Sequence, residues 1–372
     1  MDNNSLIPEG FKDHVDFNTN VEHEYKNKII DIFITNGFNL VKAPLLEFYK
    51  KNSDNVFIIE SKKKEPRLYL RDDITPQIIR IASSRFKNKI RPIKLCYYGE
   101  VTRKKGSMLR PERQFLQVGS EIIGTDSILA DIEIISLAYK SLKDIGIKNI
   151  TLELTSKIFL EEVFSKIKDL KSLNKLKTFI KLKDIKNSLA LIKNKDHRLL
   201  LKCLFNLTGS YKDLDKKINN IKLTNSLKSE IDIIKKISKK VNFKNNDQII
   251  IDFTEIDNKN YHDGIKFTFF AKDVRGEVAS GGRYKIKRKA SEEYRRHRIN
   301  AGRSRIDGYL GTSVCKYARR VRERNYHFQR HITKTRKRTD RRQWRRRNET
   351  SFRIFHTPGL LTNRESERWR CR

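Results

Sequence analysis

Cysteine is scarce in this chain: the 372 residues hold four, Cys96, Cys203, Cys315 and Cys371, widely scattered and with no C-x-x-C pair. That spacing argues against a disulfide framework or a zinc site and for a reducing compartment. Long apolar runs are also missing. None approaches the roughly 18 to 20 residues needed to span a bilayer, so no membrane partner is expected. The N-terminus, Met1-Asp2-Asn3-Asn4-Ser5, lacks a basic region followed by an apolar stretch. No secretory signal is read there, and the expected location is cytoplasmic. No internal repeat is seen. Acidic residues are the last shortage, with 45 Asp and Glu against 82 Lys and Arg, a net charge of +37.

Such an excess ordinarily points to a polyanionic partner, but its distribution weakens the inference. From residue 284 onward there are 29 Lys and Arg, 23 of them Arg, against 8 Asp and Glu. The first 283 residues carry 53 basic and 37 acidic residues, with lysine outnumbering arginine nearly four to one. More than half of the excess therefore lies in the last quarter, where periodicity also fades. The run from Thr335 to Arg347 offers no stripe that could face a core. Most of residues 285–372 is expected to be disordered or poorly packed. Three readings of it stand open: an arginine-rich arm for nucleic acid, a solvated tail, or the product of a reading-frame shift.

The first 283 residues are readable. Residues 20–35 predict an amphipathic helix, with Tyr25, Ile29, Ile32 and Phe33 at helical spacing and Asn36-Gly37 as its stop. An extended segment follows through Leu40, Val41 and Pro44. Residues 68–70, 95–101 and 115–123 read as strands of one antiparallel sheet. Asp126 or Ser127 can cap a helix bearing Leu129, Ile132, Leu137 and Leu142 and ending at Gly146. Residues 156–245, rich in Lys, Leu and Ile, read as a helical insertion with a turn at Thr208-Gly209-Ser210. Strands resume at 249–253 and 264–270. The fold class is α+β, an antiparallel sheet flanked by helices, in a domain of residues 1–284.

The densest chemistry lies at Arg113-Gln114-Phe115-Leu116-Gln117-Val118-Gly119-Ser120-Glu121. A strand alternates its faces, so Phe115, Gln117, Gly119 and Glu121 share one side. Gly119 permits close approach to the backbone, and Gln117 and Glu121 offer an amide and a carboxylate suited to an amino-acid ammonium group. Taken alone, the segment serves equally well as a half-buried strand with a polar wet side.

Several segments in order make the larger case. Pro8-Glu9-Gly10-Phe11-Lys12-Asp13, Asn36-Gly37-Phe38 through Ala43-Pro44-Leu45-Leu46-Glu47, Leu70-Arg71-Asp72-Asp73-Ile74-Thr75, Tyr98-Gly99-Glu100-Val101-Thr102-Arg103, the strand just described, Tyr261-His262-Asp263-Gly264 and Gly281-Gly282-Arg283-Tyr284 together resemble the core of class II aminoacyl-tRNA synthetases. The resemblance is to the branch comprising histidyl-tRNA synthetase and its paralogue, the regulatory subunit of ATP phosphoribosyltransferase. It implies a class II synthetase-like sheet and a dimer formed through residues 36–47. It implies that Asp73, Thr75, Gln117 and Glu121 surround the ammonium and carboxylate ends of a bound histidine, with Tyr261 and His262 lining its imidazole pocket. Arg103 matches the position that contacts ATP phosphate in synthetases.

Two departures separate the relatives. Asp257 stands where a working synthetase carries the arginine that stabilises charge as the amino acid attacks ATP, and a carboxylate there has the wrong sign. Neither the terminal glycine-rich motif nor an anticodon-binding domain is legible after residue 284. The resemblance therefore implies a non-catalytic regulatory subunit that needs no cofactor. Its expected partner is the short catalytic subunit of ATP phosphoribosyltransferase, in the first step of histidine biosynthesis, with histidine as feedback ligand and no nucleic-acid role. An active histidyl-tRNA synthetase is the first alternative, and a basic RNA-binding protein the second.

Overall fold

The structure, a computed structural model, describes residues 6–49, 55–60, 65–107, 111–165, 167, 169–218, 223–241, 243, 247–256, 262–272, 274–284 and 309–314, with residues 16–18, 170, 262, 263 and 309–314 by backbone alone. All belong to one unit, Met1–Val321. The N-terminal amphipathic pattern forms α1 (Asp16–Thr35), and Gly37 follows it at φ +84°. The chain then runs through β1 (Asn39–Val41), β2 (Leu46–Phe48), β3 (Ile58–Ile59) and β4 (Leu68–Leu70) into α2 (Thr75–Ser84). Two ten-residue strands, β5 (Ile93–Thr102) and β6 (Gln114–Ile123), pair antiparallel along their whole length.

Helix α3 (Ile128–Asp144) begins where Ser127 accepts a hydrogen bond from the Leu129 amide through its side chain. It ends at Gly146, whose φ of +89° lets the Gly146 and Ile147 amides reach back to the Lys143 and Leu142 carbonyls. Strand β7 (Ile150–Ser156) leads into the insertion, built of α4 (Ile158–Phe164), α5 (Leu170–Lys181), α6 (Ile185–Ala190), α7 (Lys195–Leu207), β8 (Gly209–Ser210), α8 (Leu214–Ile218) and α9 (Asn225–Lys240). Then come β9 (Gln248–Ile251), β10 (His262–Ala271), β11 (Ala279–Tyr284) and β12 (Tyr309–Val314).

The described strands form a nine-stranded sheet of order β1-β5-β6-β12-β11-β10-β7-β9-β8 and a separate three-stranded sheet of order β2-β4-β3. Only β1 with β5 and β7 with β9 are parallel, so the α+β class read from the sequence is what the chain adopts. Three details differ from the sequence reading. Leu68–Leu70 belongs to the small sheet rather than beside β5 and β6. Gly209 and Ser210 are an edge strand on β9 rather than a turn. In the stretch after residue 284, where the sequence offers no core-facing stripe, Tyr309–Val314 fills the centre of the large sheet between β6 and β11. The remaining residues after 284 lie outside the described set.

Alternation on the strands sorts the core onto two faces. Val118 and Ile122 of β6, Leu152 and Leu154 of β7 and Phe267 and Phe269 of β10 bury against α1, α3 and the insertion helices. On the opposite face Leu95, Tyr97, Phe115 and Tyr284 pack with Ile74, Ile78 and Ala82 at the start and along one side of α2. This second face carries the polar cluster described next.

Candidate amino-acid site

Four of the residues singled out from the sequence are joined by hydrogen bonds on the α2 face of the large sheet. The Gln117 side chain grips the segment before α2 at two points: its Oε1 accepts from the Ile74 amide at 3.0 Å, and its Nε2 donates to Asp73 Oδ1 at 2.9 Å. Asp73 Oδ1 also accepts from the Thr75 amide at 3.1 Å. Two places along β6, on the same face, Glu121 Oε1 lies 3.0 Å from Thr75 Oγ1 and 3.2 Å from the Tyr97 hydroxyl, and those two hydroxyls are 3.0 Å apart. Tyr284 donates to Glu121 Oε2 at 2.8 Å.

Gln117 and Glu121 are almost wholly buried, at 1% and 0% exposure. Burial pushes the Glu121 carboxyl up to about 8, against the opposing pull of its hydroxyl partners Tyr284, Thr75 and Tyr97. Thr75 and Tyr97 both donate to Glu121 Oε1 and Tyr284 donates to Oε2, so three hydroxyls ring the buried carboxyl.

Tyr97 and Tyr284 were not singled out by sequence as ligand-facing groups. The available signal was alternation: Tyr97 is paired with Gly119 in the ladder, and Tyr284 closes the Gly281-Gly282-Arg283-Tyr284 segment. Tyr284 meets Glu121 across the intervening strand β12, where Gly311 is paired with both Glu121 and Gly282. Two adjacent residues without side chains leave bare backbone over which the phenol reaches the carboxyl. Arg283, one residue earlier, points to the opposite face. It donates to Asp131 Oδ2 at 2.5 Å and to the Ser127 carbonyl at 3.0 Å, at the start of α3. Burial outweighs this cation and raises the Asp131 carboxyl to about 6.

His262 opens β10 at the register position of Tyr284, and its side chain lies outside the described set, as do Tyr261 and Asp257. Arg103 stands apart from the cluster with its guanidinium 4.9 Å from the centre of the Phe115 ring, a cation–π contact on the same face as Gln117 and Glu121. Among the described residues Arg103 forms no ion pair, and no group of three or more His, Cys, Asp or Glu could hold a metal ion. No helix among them is long and apolar enough to cross a membrane.

A family profile described as histidyl-tRNA synthetase matches residues 10–298. The chain belongs to that family. Within it, curated relatives carry the name ATP phosphoribosyltransferase regulatory subunit. The one from Paramagnetospirillum magneticum is 28% identical over 295 residues, 76% of each chain, and the one from Caldanaerobacter subterraneus subsp. tengcongensis is 30% identical over 301 residues, 75% of each. The fold is shared with a structure titled ATP phosphoribosyltransferase regulatory subunit/histidyl-tRNA synthetase from Bacillus halodurans, with a TM-score of 0.69, 19% identity and coverage of 85% of this chain and 83% of that one. It is shared also with a chain of the ATP phosphoribosyl transferase (HisG:HisZ) complex from Thermotoga maritima, with a TM-score of 0.60, 17% identity and coverage of 82% and 98%. The family resemblance read from the motifs is thus established, on the regulatory-subunit side of the family.

Proposed function

We propose that this member of the family is the non-catalytic regulatory subunit of an ATP phosphoribosyltransferase, binding histidine at the α2 face and supporting activity and feedback control of the short catalytic subunit. The observation that carries the reading is the hydrogen-bonded chain Gln117–Asp73–Thr75–Glu121, which brings two carboxyl groups, an amide and a hydroxyl together on one face of the sheet. Asp73 suits an ammonium group. Glu121, ringed by hydroxyls, joins Thr75 and Gln117 around the ammonium and carboxylate ends of the amino acid in this reading. Tyr261 and His262 follow Asp257 in sequence and complete the ring pocket in this reading. The names of the relatives and the Thermotoga maritima complex support the partner, and residues 36–47 are assigned to self-association.

The silent character rests on Asp257. A carboxylate in the sequence position of the family's arginine has the wrong sign for the charge that builds during amino-acid activation, which a fixed cation would stabilise. The expected result is that the purified chain binds L-histidine by calorimetry, raises the rate of the short catalytic subunit, and gives no histidine-dependent exchange of pyrophosphate into ATP. Robust exchange would overturn it. Arg103, retained beside Phe115 on the α2 face, favours the second reading, an active histidyl-tRNA synthetase, and the same exchange assay separates the two.

A further inference from the structure

Arg71 has an unusual position for a cation. It is 5% exposed, and burial draws its guanidinium pKa down. Its hydrogen-bond partners are mostly carbonyl oxygens: Nε donates to Glu100 O at 2.8 Å, and Nη1 donates to Ala43 O at 2.9 Å, Pro44 O at 3.2 Å and Gln77 Oε1 at 3.2 Å. Gly99 makes room for it, since a Cβ at that position would overlap Arg71 Nη2. Gln77, 2% exposed, extends the set by donating from Nε2 to Pro44 O at 2.7 Å and to Glu47 Oε1 at 3.0 Å, and Glu47 in turn accepts from Arg80 at 2.6 Å.

The segment from Arg71 to Gln77 is therefore held at both ends. Asp73, Ile74 and Thr75 are fastened to Gln117 and Glu121 on β6, whereas Arg71 and Gln77 are fastened to the backbone just before β2 and to Glu47 within it. A buried guanidinium that let go of these acceptors would be left unsatisfied, at a cost well above that of a neutral group. Residues 43 and 44 consequently follow Arg71 when it shifts. Beyond them lies the small sheet, whose apolar side chains Leu46, Phe48 and Ile59 are 41%, 62% and 40% exposed.

We propose that Arg71 and Gln77 are positioning residues that transmit occupancy of the amino-acid pocket to the backbone of residues 43–48. This rests on the reading of the α2 face as an amino-acid pocket and adds to it the route by which a bound ligand is felt elsewhere. A ligand that draws on Asp73 and Thr75 pulls on a segment whose other attachments run to β5, at Glu100 and Thr102 through Arg71, and to residues 43–47, the stretch that holds both Arg71 and Gln77.

The test is hydrogen–deuterium exchange of the full chain with and without saturating L-histidine, together with calorimetry on the same samples. In the natural sequence, exchange in peptides covering residues 43–48 is expected to slow on the order of fivefold when histidine binds, the low end of ordinary coupling free energies. In Gln77→Met that response should disappear while histidine affinity stays within about threefold. Glu47→Gln, which keeps the side-chain volume, should weaken the response and serves if Gln77→Met does not fold. Binding with unchanged exchange at 43–48, or an undiminished response in either variant, overturns the relay while leaving the pocket intact. Failure of the natural chain to bind histidine overturns the pocket reading, and the relay with it.

Discussion

At the scale of single residues, the buried acid at 121 makes the sharpest prediction. Its proton is held in the folded state up to about pH 8, whereas an unfolded chain releases it near 4.3. Glu121 therefore contributes stability that is full at acid pH and declines as pH rises through that interval, at about 1.4 kcal/mol per pH unit for one proton. Compared with Glu121→Gln, the natural chain should lose stability progressively between about pH 5 and 8 in urea titrations. Parallel curves for the two proteins would show that the carboxyl is ionised in the fold. Tyr284→Phe removes one donor from the same carboxyl and should cost about 1 kcal/mol of stability, with a weaker hold on histidine seen by calorimetry.

At the scale of elements, Gly99 in β5 explains why a cation sits beside the polar cluster. Gly99→Ala should destabilise the chain by about 1 to 3 kcal/mol, as expected for overpacking where the buried Arg71 guanidinium and the Ile74 side chain bound the space. A denaturation midpoint unchanged by this substitution would mean that Arg71 has somewhere else to go. Most elements could be read in advance because their patterns are long: the helical stripe of α1, the ten-residue alternation of β5 and β6, and the serine and glycine that bound α3. Helix α2 was not read from sequence. Its ten residues follow a loop whose motif drew attention to ligand chemistry, although Pro76 in its first turn and Ile78 and Ala82 one turn apart were a usable signal. The assignment of β4 to the wrong sheet has a different cause, because three apolar residues specify a strand but not its partner. In the site, Asp73, Thr75, Gln117 and Glu121 were legible from motif and alternation. Tyr97 and Tyr284 join them only through strand order, which no local pattern encodes.

At the scale of the whole molecule, β12 decides whether the sheet is continuous. It pairs with β6 at four positions and with β11 at six, from within a basic stretch whose Tyr309-Leu310-Gly311-Thr312-Ser313-Val314 carries no clean alternation to mark it as a strand. A chain truncated after residue 308 should leave β6 and β11 as unpaired interior edges and should be recovered largely as aggregate. Soluble protein with an unchanged circular-dichroism spectrum would contradict the central placement of this strand.

That placement also orders events during synthesis. Gln117 and Glu121 leave the ribosome long before Tyr284, and the strand that spaces them emerges later still, so the polar cluster cannot be assembled progressively as the chain grows. A product released before codon 314 would lack the strand that separates Tyr284 from Glu121 however well its earlier segments had folded.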